Sequence, residues 1–283
     1  QAALEERILV ALELWPPGLG YREQTLADTL ADTNAAYLED RDTIAILRAD
    51  PVPDRTLVHE LVHALQRERW GPLPTSRTFA GLYLQTARVE GEAVLAEVLF
   101  AGEDPRSLRG EGLDWRGDFP TDKPPAWYWL SVDPIREGAH LAASGERGPE
   151  LLPEQATRQG ASQRRPPADP IRSARSSLRP LGRKEQIVGK RGVAWWISRW
   201  APNFGGETPG LGGLEDRFLL QEGWVDDRLR VERGQLEWRI QYRKEPLAER
   251  LRREVLRHRP GLDASREGAV FVLRLPLGPA RQN

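Results

Sequence analysis

Cysteine is absent from the 283-residue sequence, and so is methionine. Without cysteine the chain has no disulfide framework and no thiolate metal site, so any metal must be held by histidine and carboxylate side chains. No run of about 18 apolar residues occurs, which excludes a membrane-spanning helix in this sequence. The absence of cysteine gives no indication of whether the protein works in an oxidising or a reducing compartment.

Histidine is scarce as well, with four residues in the whole chain. Two of them belong to the pentad His59-Glu60-Leu61-Val62-His63, which has the HExxH pattern of zinc sites. Residues four apart on a helix lie one above the other, so both imidazoles face one point and Glu60 lies beside them. The competing interpretation is a pair of core histidines that make ordinary hydrogen bonds.

The pentad is predicted to lie on a helix. Pro51 and Pro53 precede it, Asp54 is a candidate N-cap, and Gly71-Pro72 ends it. An apolar stripe predicts that the helix is largely buried, and buried histidines need partners that a metal supplies. The stripe consists of Leu57, Leu61, Ala64 and Leu65.

A catalytic zinc ion takes three protein ligands and keeps one open position. No histidine follows His63 at the short spacing of the three-histidine proteases, which leaves a carboxylate as the third ligand. A second helix is predicted over residues 76–100, and Glu90 and Glu97 share one of its faces. We predict Glu90 as the ligand and Glu97 as a carboxylate that accepts from a ligand histidine and orients it, with a solvated glutamate as the alternative for Glu97. Gly91 would allow a neighbouring backbone to approach closely.

HExxH followed by Glu90-Gly91-Glu92-Ala93 resembles the gluzincin peptidases, in which the glutamate before the glycine is the third zinc ligand. The sequences HELVHALQ and VEGEA also resemble an uncharacterised bacterial family of predicted metallopeptidases. Further marks of that family are a strand such as 36–38 before the site and a Gly-Trp-x-x-Asp-Arg turn, here residues 223–228. Residues 35–100 carry the specific part of the likeness.

The resemblance implies an α+β, zincin-like fold: a mostly helical catalytic domain with a small sheet beside the HExxH helix, plus a small C-terminal α+β element. It implies one Zn²⁺ ion and hydrolysis of peptide bonds, with Glu60 taking a proton from zinc-activated water and returning it to the leaving amine. Endopeptidase activity is favoured, because no motif for gripping a free N-terminus is present. The alternative is a non-catalytic, zinc-stabilised scaffold or binding protein derived from a peptidase.

Related peptidases place a tyrosine, histidine or arginine against the oxyanion. Tyr128 and His140 are the candidates here, and aromatic packing and an ordinary satisfied histidine are the competing interpretations. The similar family reads Phe-Pro-Tyr-x-x-Gly where this chain has residues 133–138, so Ile135 replaces its tyrosine. That departure motivates the scaffold alternative.

Charge is uneven along the chain. Residues 1–140 hold 14 Lys and Arg against 24 Asp and Glu, and the remainder holds 27 against 18. We expect the two parts to dock together, with a polyanion held by the basic part as the alternative. We expect no nucleic-acid partner, since no nucleic-acid-binding module is present. The resemblance implies a peptide or protein substrate as the partner. A chain that begins at Gln1 without Met suggests processing, and similar bacterial proteins favour a secreted or cell-envelope location.

Three regions are predicted: a catalytic region over 1–140, a partly irregular helical connection over 141–205, and a small α+β element over 206–283. Helices are expected at 2–14 and 22–31, and a hairpin of 35–38 with 43–47, whose second strand is the candidate substrate-binding edge. Residues 101–125 are predicted to form a surface loop anchored by Trp115 and Phe119, and 144–180 a weakly ordered stretch. The C-terminal part predicts a short helix around 195–200, paired strands at 228–232 and 236–242, a helix at 246–258 and a strand at 270–275.

Overall fold

The structure is a computed structural model that describes residues 2–48, 51–72, 76, 78–110, 124–144, 185–200 and 223–278. It combines helices and antiparallel sheets, so the predicted α+β class is confirmed at that coarse level. Most helices of the described residues belong to the first half of the chain, and the larger of the two described sheets belongs to the C-terminal part.

The N-terminal region contains two helices and a hairpin, as predicted. Helix α1 spans Ala2–Ala11 and α2 spans Tyr21–Asp32. Strand β1 (Ala35–Leu38) pairs antiparallel with β2 (Thr43–Ile46). The polar stretch between the strands forms the turn, with Asp42 at a φ of 48°.

The two helices predicted to carry the site are both present. Helix α3 spans Asp54–Trp70, and Pro53 occupies its N-cap position without a side-chain hydrogen bond. The prediction of Asp54 as the cap is therefore wrong by one residue, because Asp54 is already helical. Gly71, with a φ of 69°, ends α3 as expected. Helix α4 spans Phe79–Phe100. Thr78 is its N-cap, and the Thr78 hydroxyl accepts a hydrogen bond from the Gly81 N–H.

Helix α4 is crossed at close range by a helix that the sequence did not predict. Helix α5 (Ser107–Gly110), helix α6 (Pro125–Trp127) and a π-helix (Tyr128–Val132) precede α7, which spans Asp133–Ser144. A Cβ atom added to Gly91 of α4 would lie 2.2 Å from the carbonyl carbon of Gly138 in α7. One added to Gly138 would lie 1.8 Å from the carbonyl oxygen of Ala87. The close backbone approach expected at Gly91 is confirmed, and it fixes the helix that carries Glu90.

Gly91→Ala is expected to destabilise the fold by more than about 3 kcal/mol, because the new methyl group meets backbone that cannot rotate away. Chemical denaturation followed by far-UV circular dichroism measures the effect. Gly261→Ala is the matched control, since a Cβ there meets nothing within 4 Å. Equal stability of the two variants would contradict this account of the helix crossing.

The C-terminal strands form a five-stranded antiparallel sheet in the order β3-β4-β5-β7-β6. Its strands are β3 (Glu185–Gln186), β4 (Trp224–Glu232), β5 (Gln235–Tyr242), β6 (Asp263–Glu267) and β7 (Val270–Pro276). Helix α8 (Gly189–Trp200) follows β3, and α9 (Glu245–His258) follows β5. The strands predicted at 228–232, 236–242 and 270–275 and the helix predicted at 246–258 are confirmed. The helix predicted around 195–200 lies within α8. Strands β3 and β6 were not predicted.

The Gly-Trp-x-x-Asp-Arg motif was expected to be a turn, but it forms the start of β4, with an irregularity between Trp224 and Asp226. Asp227 is fully buried there and accepts hydrogen bonds from the N–H groups of Val188 and Gly189 and from the Trp238 indole. Burial raises the pKa of Asp227 to about 6. The carboxyl group thus joins the sheet to the start of α8.

One apolar core draws side chains from α1, α4, α8, α9 and the sheet. The Ala80 N–H donates to the Ile187 carbonyl, which links the start of α4 to the segment that Asp227 holds. The N-terminal and C-terminal parts also meet through a Glu13–Arg259 ion pair, in line with the expected docking of acidic and basic parts. The three predicted regions stay a prediction, because the boundary near 205 lies outside the described residues.

Trp115, Phe119 and nearly all of the stretch 144–180 also lie outside the described residues, so those predictions have no outcome. The loop predicted over 101–125 is wrong in part, because α5 occupies Ser107–Gly110 and α6 begins at Pro125. Among the helices in the described part of the chain, none has the length and apolar character needed to cross a membrane.

Candidate metal centre

Helices α3 and α4 run in opposite directions, so that His59 meets Glu97 near one end of their interface and Gln66 meets Val89 near the other. Between these contacts the side chains of His59, His63 and Glu90 converge. One ligand atom from each of the three lies within 4.8 Å of the other two. The structure therefore brings together the three residues that the sequence predicted as ligands.

The spacing of the three ligand atoms suits a tetrahedral metal ion. Glu90 Oε2 lies 3.1 Å from His59 Nε2 and 3.7 Å from His63 Nε2. Two ligands about 2.1 Å from a tetrahedral zinc ion lie about 3.4 Å apart, which falls between these distances. Two imidazoles and one carboxylate are also a donor set of catalytic zinc sites. The residues present fit the ion.

The inner face of α3 is polar, and its apolar stripe is not buried as expected. Leu61 and Leu65 are 52% and 62% exposed, whereas Glu60 and Gln66 are buried. Leu61 and Leu65 each follow a histidine by two residues and thus lie about 200° away from it around the helix. Since the histidines point at α4, those leucines point away from it. The prediction of a buried stripe on α3 is wrong for this reason.

Glu97 contacts His59, as predicted for a carboxylate that orients a ligand histidine. Its Oε1 lies 2.5 Å from His59 Nδ1. The carboxylate can only accept, so it favours a proton on Nδ1 and leaves Nε2 facing Glu90. Burial lowers the pKa of His59, but the hydrogen bonds and charges of Glu90 and Glu97 outweigh it and raise the pKa to about 10. Burial raises the pKa of Glu90. The hydrogen bond from His59 and the charges of both histidines outweigh burial and hold that pKa below its usual value.

His63 has its own partner, which the sequence reasoning missed. Gln66 Oε1 lies 3.0 Å from His63 Nδ1. The available signal was position, because residue 66 follows His63 by three and lies on the same helical face. A glutamine in that place was not distinguished from an ordinary surface residue.

Glu60 is buried and is not one of the three converging ligands. Its Oε2 accepts a 2.6 Å hydrogen bond from the backbone N–H of Tyr37 in β1. The hairpin is also tied to α3 by an ion pair between Glu39 and Arg67. The predicted small sheet beside the HExxH helix is present. The strand that contacts Glu60 is β1, however, rather than the 43–47 segment expected to border the site.

The two candidate oxyanion donors lie on the π-helix and on α7. Tyr128 stacks on Trp195 at a centroid distance of 5.8 Å and meets Trp127 edge-on. This placement favours the aromatic-packing interpretation for Tyr128. His140 lies half-buried on α7 and is not one of the converging ligands. Catalytic roles for Tyr128 and His140 stay predictions.

No protein-family model, curated protein or solved structure matches this chain. The resemblance to gluzincins therefore stays a prediction from the sequence motifs.

Proposed function

We propose that this protein is a zinc-dependent peptidase with a zincin-like catalytic region. The observation that supports the proposal best is the convergence of His59, His63 and Glu90 on one point, with Glu60 buried and next to His59 in the chain. Each histidine also has a partner on Nδ1, which directs Nε2 toward that point. An HExxH helix packed on a ligand helix, with a small sheet next to the first, is the arrangement expected of a zincin.

A zinc ion at this site would polarise a substrate carbonyl and lower the pKa of water to about 7. Glu60 supplies the proton acceptor. Its Oε2 is fixed by the Tyr37 N–H, so the carboxylate cannot swing freely and its Oε1 remains to accept a proton from water. Glu60 then returns that proton to the leaving amine. The carboxylate thus acts as base in one step and as acid in the next.

Peptides and proteins are the proposed substrates, with cleavage inside the chain favoured over removal of N-terminal residues. The second candidate function is a zinc-stabilised scaffold without catalysis. It is favoured by Ile135, which stands where similar proteins have tyrosine, and by the stacking of Tyr128 on Trp195. Both candidates require the same three ligands.

The proposal is tested by removing and restoring the metal. Protein dialysed against a chelator is expected to lose cleavage of unfolded protein substrates and to recover it with one equivalent of zinc. Circular dichroism of the dialysed sample shows whether the fold survives. Cleavage that persists in protein shown to be free of metal would contradict a zinc-dependent mechanism.

A further inference from the structure

Gln66 lies in the interface between α3 and α4 and is only 5% exposed. Its Oε1 faces His63 Nδ1 at 3.0 Å. Its Nε2 faces two acceptors on α4, the Val89 carbonyl at 3.0 Å and Glu92 Oε2 at 3.3 Å. A buried side chain thus connects one predicted ligand, His63, to the residue that precedes another, Glu90.

The identity of these partners fixes the orientation of the amide. The Val89 carbonyl and the Glu92 carboxylate can only accept, so the amide NH₂ must point at them. The amide oxygen then faces His63 and can only accept as well. His63 must therefore carry its proton on Nδ1, which leaves the lone pair of Nε2 directed at Glu90 and the metal point.

Glutamine suits this position better than the carboxylate that His59 uses. A glutamate at position 66 would still accept from His63, but it would offer no donor to Val89 and would place a second carboxylate beside Glu92. The two histidines thus have different partners, a charged one for His59 and a neutral one for His63. The neutral partner orients His63 without adding a further negative charge to a site that already has Glu60, Glu90 and Glu97.

We propose that Gln66 is a positioning residue of the metal centre: it sets the tautomer of His63 and holds α3 against α4 beside Glu90. The inference rests on the proposed zinc site, although the tautomer itself is a property of the metal-free protein. Partners of this kind typically change metal affinity about 10–100-fold when they are removed.

The tautomer is tested by ¹⁵N NMR of histidine-labelled, metal-free protein at mildly alkaline pH. Four histidines give a simple spectrum, and His140→Gln and His258→Gln remove two of them. Wild-type His63 is expected to carry its proton on Nδ1, and Gln66→Leu is expected to move the population toward Nε2–H. An unchanged His63 tautomer in Gln66→Leu would overturn the proposal.

Zinc affinity, measured by competition with a chromophoric chelator, is the second readout. Gln66→Leu is expected to weaken zinc binding about 10–100-fold. Gln66→Glu is expected to weaken it less, because its carboxylate still accepts from His63 but faces the acceptors of Val89 and Glu92. The double variant Gln66→Glu with Glu92→Gln exchanges the two side chains, so that an amide donor again faces a carboxylate acceptor. Its zinc affinity is expected to be higher than that of Gln66→Glu alone. Gln24→Leu, which removes a glutamine far from the site in sequence, is the control and should bind zinc as the wild type does.

The outcomes separate this inference from the proposed function. Zinc affinity in Gln66→Leu within twofold of wild type would overturn the role of Gln66 and leave the peptidase proposal intact. Wild-type protein that binds zinc without cleaving peptides would overturn the peptidase proposal and leave the role of Gln66 intact. If Gln66→Leu does not fold, the comparison of Gln66→Glu with the exchanged pair decides, and failure of the exchange to improve affinity would count against the proposal.

Discussion

Glu90→Ala is expected to remove most of the zinc affinity of the protein. Among the described residues, Glu90 Oε2 is the one carboxylate oxygen that lies against the Nε2 atoms of both histidines. Without it the site keeps two imidazoles, one short of the three protein ligands of a catalytic zinc centre. The loss should exceed about 10–100-fold, the range that follows removal of a residue that only orients a ligand. Chelator competition and metal analysis of the purified variant measure it.

Glu92→Ala is the matched control for this prediction. Glu92 lies two residues further along α4 and contacts Gln66 rather than a histidine. Gln66 keeps its bonds to His63 and Val89 in that variant, so zinc affinity should fall less than tenfold. A larger loss in Glu92→Ala than in Glu90→Ala would show that the wrong glutamate has been assigned as the ligand.

Glu60→Gln is expected to lower kcat for peptide hydrolysis by about 10²–10⁴-fold, the range that a general acid–base residue contributes, while zinc stays bound. The amide has nearly the shape of the carboxylate, and its oxygen can still accept the Tyr37 N–H. It cannot take up a proton from water at neutral pH. Zinc stoichiometry should be unchanged, because Glu60 is not one of the three ligands.

Glu68→Gln removes a carboxylate from the same helix at an exposed position and is the control. It should retain wild-type kcat. If Glu60→Gln keeps kcat within tenfold of the wild type with zinc bound, Glu60 is not the general base.

The predictions that came from helical spacing place the site residues on the helix faces where the structure has them. His59 and His63 face one point because they are four residues apart, and Glu90 and Glu97 both reach α3 because they are seven apart. Strands β4 and β5 and the hairpin of β1 and β2 were predictable because short apolar runs flank polar turns. These patterns involve residues that are close together in the chain, so one sequence is enough to detect them.

Other features depend on contacts between distant segments. The crossing of α4 by α7 brings Gly138 against Gly91, which lies 47 residues earlier in the chain. The sequence around one glycine does not predict its contact with the other. The Tyr37 N–H that fixes Glu60 is a backbone group, which is present at every non-proline residue and leaves no mark in the sequence. The exposed face of α3 was misjudged because its leucines suggested burial, whereas the face of α3 toward α4 carries the histidines and Gln66.

The most direct test of the account is one measurement made on two proteins. Wild type and Glu60→Gln, each with its zinc content determined on the same sample, are incubated with a diverse peptide library, and mass spectrometry identifies the products. We expect about one zinc ion per chain in both proteins, internal cleavage by the wild type, and little or none by Glu60→Gln. Zinc in both proteins with cleavage by neither would contradict the peptidase account and favour the scaffold.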